Sequence, residues 1–245
     1  MLEIEKRRYI FKTKEIWFAD YPYDVNGFAK VVFRDCKNRI NLPGFNYEEY
    51  TTLVIDLNQD LEQIWKNMSK SACRYGINRA KKEGAVIRLN QDFKEFFKIN
   101  RSFRKAKGLS PSETTVDFIK EYGILFVAEF DGEILGGQLY LKDKNNIRWL
   151  MGASKRLEVN REKAILISNA NRLIIWEATK YAKEKGIKEF DFGGYYSGGK
   201  GNKILDTPNI FKQNFGGKIT IRYVYQKNYS KTYKILSSLK QKSFS

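Results

Sequence analysis

The sequence predicts a mixed α+β fold, with a central antiparallel-dominated mixed sheet flanked by helices. Three observations predict it. Residues 124–130 and 133–141 are β-type runs joined by Asp131-Gly132, a type I′ hairpin signature, and a turn at 143–146 leads into a third run, 147–153. A long helical stripe follows this meander, and a strand ending in paired glycines follows the helix. At 245 residues, the chain is long enough for one large core or two small ones.

Residues 8–35 are rich in aromatic and β-branched side chains, with Asn26-Gly27 as a turn signal, and predict a short sheet. Leu42-Pro43-Gly44 interrupts the chain. Residues 50–57 (YTTLVIDL) predict a strand entering a helix, with Asn58 as N-cap and acids in the first turn. Over 60–83 that helix sets Leu61, Trp65, Met68, Ala72 and Tyr75 on one side and Lys66, Lys70 and Arg74 on another. A strand at 86–89 precedes a helix over 92–107, built around Phe93, Phe96, Phe97 and Phe103. Ser110-Pro111-Ser112-Glu113 reads as a capping box that starts a third helix. Gly136-Gly137 inside the meander marks a bulge or a close backbone approach. The long helix over 168–185 buries Ala170, Ile174, Ala178, Tyr181 and Ala182 and ends at Gly186. A strand over 187–192, a glycine loop, a short helix near 209–214 and a strand over 218–226 complete the order.

Composition narrows the chemistry. The formal charge is +17, and most of it is local. Between Lys66 and Lys107 thirteen basic residues face only Glu83, Asp92 and Glu95, and residues 227–245 add five lysines with no acid. Such clustering suits a polyanion, whether tRNA, a nucleotide-linked substrate or an anionic membrane face, although a solvated lysine-rich surface looks the same. The chain has no histidine, which excludes Ser-His-Asp and Cys-His catalysis and leaves proton transfer to carboxylates, tyrosines, lysines or water. Cys36 and Cys73 form neither a disulfide framework nor a metal spacing, so a reducing compartment and no metal are expected. The charged start MLEIEKRRYI and the lack of a long apolar run point to a cytoplasmic protein without a transmembrane segment.

The densest chemical signal is 190–217, FDFGGYYSGGKGNKILDTPNIFKQNFGG. Its glycines allow a backbone to approach a ligand, and its lysines suit an anionic one. With DLNQDLEQIWKNMSKSACRYGINRAKKEGAVIRL (56–89), FDFGG (190–194) and FKQNFGG (211–217) in this order, the chain resembles the FemABX-like branch of the GNAT acyltransferase superfamily, over roughly residues 50–226. The resemblance implies a GNAT-like fold with a truncated second GNAT-like lobe at the N-terminus. It divides the chain into a partial N-terminal lobe (1–90), a catalytic domain (91–226) and a basic tail (227–245) that packs back on the first lobe.

It also implies an enzyme that moves an activated acyl group onto an amine. Fem-type members take an amino acid from aminoacyl-tRNA and attach it to a peptidoglycan precursor, whereas shorter relatives use acetyl-CoA or another acyl thioester. The expected activity is N-acyl transfer to an amine of a cell-envelope or amino-sugar precursor, from acyl-CoA or from aminoacyl-tRNA. The alternatives are a non-catalytic tRNA or polyanion binder acting through the 66–107 face, and peripheral membrane contact through the tail. Lys212, the lysine of the FK motif, is the candidate for charge stabilisation at the reacting or phosphate groups. Asp191 could orient or deprotonate the amine, and Tyr195 could donate a proton. Gly193, Gly194, Tyr196, Lys200, Lys203, Phe211, Arg74 and Arg79 are candidate substrate contacts. GNAT enzymes cradle the donor pyrophosphate with a glycine-containing loop, but here 154–169 has no glycine, leaving Arg156, Arg161 and Lys163 to bind phosphate by charge.

Overall fold

A computed structural model describes residues 1–8, 10–112, 114–198 and 203–242, except for the side chains of 8, 203–206 and 237–242. Four strands open the chain: β1 (Leu2–Arg8), β2 (Phe11–Trp17), β3 (Lys30–Cys36) and β4 (Asn46–Asp56). The following helix, α1 (Leu61–Asn67), is capped by Asp60, whose carboxylate accepts the Gln63 N–H at 2.7 Å. Asn58, the expected cap, instead turns back onto Asp56.

The single helix expected over 60–83 is broken. Met68 is extended, a π-helical turn runs over Lys70–Arg74, and α2 (Tyr75–Lys82) follows. Ser69 explains the break. Its hydroxyl accepts the Ala72 N–H while its own N–H donates to the Asn214 carbonyl at 2.8 Å, so a side chain and a distant segment replace helical bonds.

Next come β5 (Val86–Leu89), α3 (Phe93–Ala106) and α4 (Val116–Tyr122). Thr115, not Ser110, caps α4 by accepting the Phe118 N–H, and Glu113 of the expected box lies outside the described residues. The meander is β6 (Gly123–Phe130), β7 (Glu133–Lys142) and β8 (Asn146–Ser154). Asp131 and Gly132 both have positive φ, 49° and 76°, as a type I′ turn requires. Helix α5 (Arg161–Glu184) starts before the expected 168, because Asn160 caps it by accepting the Lys163 N–H at 2.9 Å. The chain ends with β9 (Glu189–Gly194), α6 (Lys203–Gln213), β10 (Lys218–Asn228) and α7 (Lys231–Lys242).

The chain forms two compact units. The first comprises residues 1–52 and 219–245. In it β1 and β2 form an antiparallel hairpin, β2 and β3 run parallel, and β10 lies antiparallel to β3. Ile16, Val31, Phe33 and Tyr225 fill its core, and the Tyr233 ring of α7 meets Phe11 edge-on at 5.3 Å.

The second unit, 53–218, orders its strands β4-β9-β8-β7-β6-β5, with only the end of β4 belonging to it. Helix α5 packs against α2 and the meander, around Ile174, Ala178, Phe190 and Phe192. Helices α3 and α4 cover a second cluster of Phe96, Ile119, Leu125 and Leu139. A Cβ at Gly136 would lie 2.7 Å from the Ala153 carbonyl, and one at Gly137 would lie 2.8 Å from the Phe96 ring, so the paired glycines mark close approach. Strands β8 and β9 pair in parallel only at Asn146–Glu189, Ile147–Phe190 and Arg148–Asp191. The site lies where this pairing stops.

Candidate active site

The last rung of the β8–β9 ladder carries a buried ion pair. Arg148 Nη1 donates to Asp191 Oδ2 at 2.6 Å, and Asp191 is only 3% exposed. The other carboxylate oxygen accepts the Gly193 N–H at 2.5 Å. This bond shapes the turn after β9, where Gly193 has φ +73° and a Cβ would come 3.0 Å from the Trp149 carbonyl. Only glycine fits that combination comfortably.

The carbonyls exposed by this turn receive Lys212. From the last turn of α6 its Nζ donates to the Gly194 carbonyl and lies 3.5 Å from that of Gly193. The ammonium also sits 5.9 Å from the Trp149 ring centre. Burial pushes the Lys212 pKa down to about 8; the Asp191 carboxylate opposes the shift and Arg148 reinforces it. At neutral pH this is a largely protonated cation poised near its titration point.

The expected residues divide into three groups. Asp191, Gly193, Gly194, Tyr195, Tyr196, Phe211 and Lys212 come together. Gln213 donates to the Tyr195 hydroxyl at 2.5 Å, and buried Asn209 clamps both backbone groups of Tyr196, leaving its ring 38% exposed. Phe211 packs against Trp149 and Phe215. A cleft of about 450 Å³ adjoins them, lined by Trp149, Arg156, Ser168, Asn171, Arg172 and Phe211 among others. Of the three residues expected to bind cofactor, only Arg156 lines it. Lys163 is paired with Glu133 at 2.5 Å, and Arg161 is the exposed first residue of α5. Arg79 is likewise drawn away, into an exposed pair with Glu83 at 2.7 Å. Arg74 ends the π-helical turn. Lys200 lies outside the described residues, and of Lys203 only the backbone is described.

Sequence reading missed Arg148, Trp149 and Arg172. Each carried a faint signal: Arg148 interrupts the apolar strand IRWLMGA, and Asn169, Asn171 and Arg172 put polar groups early in a helix otherwise read as buried. The Trp149 indole N–H is buried and has no acceptor among the described residues. Trp149 lines the cleft and the Lys212 ammonium lies against its ring, so two donor groups stand close together beside the cleft.

Residues 68–203, more than half the chain, match the family model described as an acetyltransferase (GNAT) domain. The chain belongs to this GNAT family. It is therefore an acyltransferase, and its fold is a FemABX-like form of the GNAT fold. Among solved structures it is similar to FemX, at 12% identity over 95% of this chain and 85% of that one, with a TM-score of 0.66. It is also similar to L-PGS from Bacillus licheniformis, at 15% identity, 84% and 70% coverage and a TM-score of 0.51. A C-terminal domain assigned to lysylphosphatidylglycerol synthetase from Agrobacterium fabrum matches at 14% identity, 81% and 68% coverage and a TM-score of 0.52. At these identities the likeness is one of fold. No curated protein matches the chain.

Proposed function

We propose that this GNAT protein transfers an acyl group to an amine of a cell-envelope or amino-sugar precursor, using acyl-CoA or aminoacyl-tRNA as donor. The observation that carries the reading is the Lys212 ammonium, held by two backbone carbonyls and lying 5.9 Å from the ring centre of Trp149, which lines the cleft. In the proposed reaction the amine attacks the acyl carbonyl, and the negative charge that develops on oxygen is met by the Lys212 ammonium and the Trp149 indole N–H. Asp191, with both oxygens already occupied, acts as a positioning residue that fixes the Gly193 turn and the charge on Lys212. Tyr195, its oxygen accepting from Gln213, supplies a proton to the leaving group and regains one from the nitrogen that has attacked. The fold shared with FemX and with a domain assigned to lysylphosphatidylglycerol synthetase supports an acceptor of the cell envelope.

Two observations bear on the donor. The Lys163 amide at the α5 N-terminus is taken by Asn160, and Lys155 and Lys163 both bind Glu133, so the 154–169 segment offers CoA phosphates chiefly Arg156. By contrast, Lys98, Arg101, Arg104 and Lys105 line a groove of about 690 Å³ along α3, which favours a polyanionic donor such as tRNA. No helix among the described residues is long and apolar enough to cross a membrane. The test is incubation of the full chain with labelled acetyl-CoA or aminoacyl-tRNA and a panel of amino-sugar acceptors. Acylated product from either donor is expected, and none from both would overturn the substrate assignment.

A further inference from the structure

We propose that the first unit carries a docking surface for an anionic phospholipid bilayer, formed by helix α7 and the tip of the β1–β2 hairpin. The proposal is independent of the acyl-transfer reading and stands whatever donor or acceptor the cleft takes. Its basis is an amphipathic helix that does not bury its apolar stripe. At about 3.6 residues per turn, the sequence of α7 (KTYKILSSLKQK) puts Ile235, Leu236 and Leu239 on one stripe. Tyr233, outside that stripe, is the residue that packs: it is 9% exposed, and its ring meets that of Phe11 edge-on. Ile235 and Leu236 are 61% and 52% exposed. The described part of the stripe thus faces solvent, whereas a helix held only by its own domain turns such a stripe inward.

The hairpin adds a further exposed apolar group beside the same ring contact. Ile10 is 81% exposed in the turn between β1 and β2. It precedes Phe11, whose ring touches Tyr233, two residues before Ile235. Arg7 and Lys12, both exposed, stand opposite each other across the hairpin. Like charges so placed repel, and a negative surface against the tip relieves them.

Charge selects the partner. Residues 227–245 hold five lysines and residues 6–14 hold five basic residues, with no acid in either segment. Lys227 is paired with Asp24, and Lys6 and Lys14 are paired with glutamates of the hairpin, so the relevant cations are those of the tip and of α7. By helical spacing, Lys231 and Lys242 border the apolar stripe on one side and Lys240 borders it on the other. A helix of this pattern lies in the plane of a bilayer surface, its apolar side chains entering the acyl boundary while lysine stems reach back to the phosphates. A second copy of this chain brings the same positive charge and is repelled.

The test is co-sedimentation of the full chain with vesicles of phosphatidylcholine, alone or mixed with phosphatidylglycerol. Binding is expected to the mixed vesicles and not to phosphatidylcholine alone, and it should weaken as salt screens the charges. Each lysine near such a surface adds about fivefold to binding, so Lys231→Gln/Lys240→Gln should bind about tenfold more weakly or worse. Ile235→Ser/Leu236→Ser should lose about as much, with an unchanged melting temperature because both side chains are already exposed. Lys144→Gln, in the exposed turn between β7 and β8, should bind like wild type. A polarity-sensitive dye on Leu236→Cys, the two native cysteines being buried, should shift to the blue on mixed vesicles. No binding by wild type, equal binding to both kinds of vesicle, or a dye that stays in water overturns the proposal. So does a concentration-dependent dimer that forms without vesicles and is abolished by Ile235→Ser/Leu236→Ser, which would assign the stripe to a second copy of the chain.

Discussion

The ion pair at the end of the β8–β9 ladder predicts an asymmetry between its two partners. Replacing Asp191 with Asn removes the carboxylate that attracts both Arg148 and Lys212. Replacing Arg148 with Met leaves Asp191 with the Gly193 N–H and the attraction of Lys212. The pair is 2.6 Å long, and its side chains are 12% and 5% exposed, so it is effectively desolvated. Breaking such a pair from one side costs about 3–5 kcal/mol, the range expected for Asp191→Asn. Arg148→Met should cost less, about 1–3 kcal/mol, because its carboxylate keeps a donor and a nearby cation. In a chain of this size each kcal/mol moves the melting temperature by about 2–4 °C, so calorimetry separates the two variants. The same variants should move Lys212 in opposite directions: below about 8 in Asp191→Asn, which loses the opposing carboxylate, and upward in Arg148→Met, which loses the reinforcing cation. Competitive acetylation of Lys212 across a pH series, read by mass spectrometry, measures both shifts. Shifts of the same sign, or a cost below about 1 kcal/mol for Asp191→Asn, would refute the reasoning.

Four further outcomes are expected. If the Lys212 ammonium meets the oxyanion, kcat/KM falls as pH rises through about 8, and Lys212→Arg moves that limb to higher pH; a pH–rate profile checks both. The folded pKa of Lys212, about 8, lies below its ordinary 10.5, so the unfolded chain binds more protons between those values and stability should rise with pH across that window. Lys212→Met should flatten this rise, as urea midpoints at pH 7 and pH 10 will show. Gly193→Ala, strained by positive φ and by the Trp149 carbonyl, should lose about 1–2 kcal/mol or more, beyond the loss at Gly27, where φ is also positive but nothing crowds a Cβ. Trp149→Phe keeps the ring but removes the indole N–H and should lower kcat about 10²-fold or more with KM nearly unchanged; unchanged turnover would remove Trp149 from the oxyanion wall.

The meander was legible because its signals are local. Asp131-Gly132 demands two residues of positive φ between alternating strands, and few other structures satisfy that demand. The helix over 60–83 was misread for the converse reason. Its apolar spacing is continuous, but Ser69 exchanges helical bonds for its own side chain and for the carbonyl of Asn214, which lies far along the chain. The early start of α5 could have been read from Asn160, a good cap that the absence of glycine in 154–169 obscured. Residues 190–217 were recognisable as chemical, yet their meaning depended on Arg148, 43 positions before Asp191, which no local pattern ties to them.

The site arises from the way a parallel ladder ends. Two strands that part must satisfy the backbone groups they stop sharing, and here a side chain and a lysine do so. Asp191 accepts the Gly193 N–H, and Lys212 donates to the freed carbonyls of Gly193 and Gly194. The carboxylate that closes the ladder then needs its own counter-charge, which Arg148 provides from the opposite strand. That cation adds to burial in lowering the Lys212 pKa to about 8. One structural requirement, an orderly end to β8 and β9, therefore leaves a desolvated lysine over the ring of Trp149, which lines the cleft. A fold that separates these strands anywhere else would have to assemble its charge-stabilising group from a different residue.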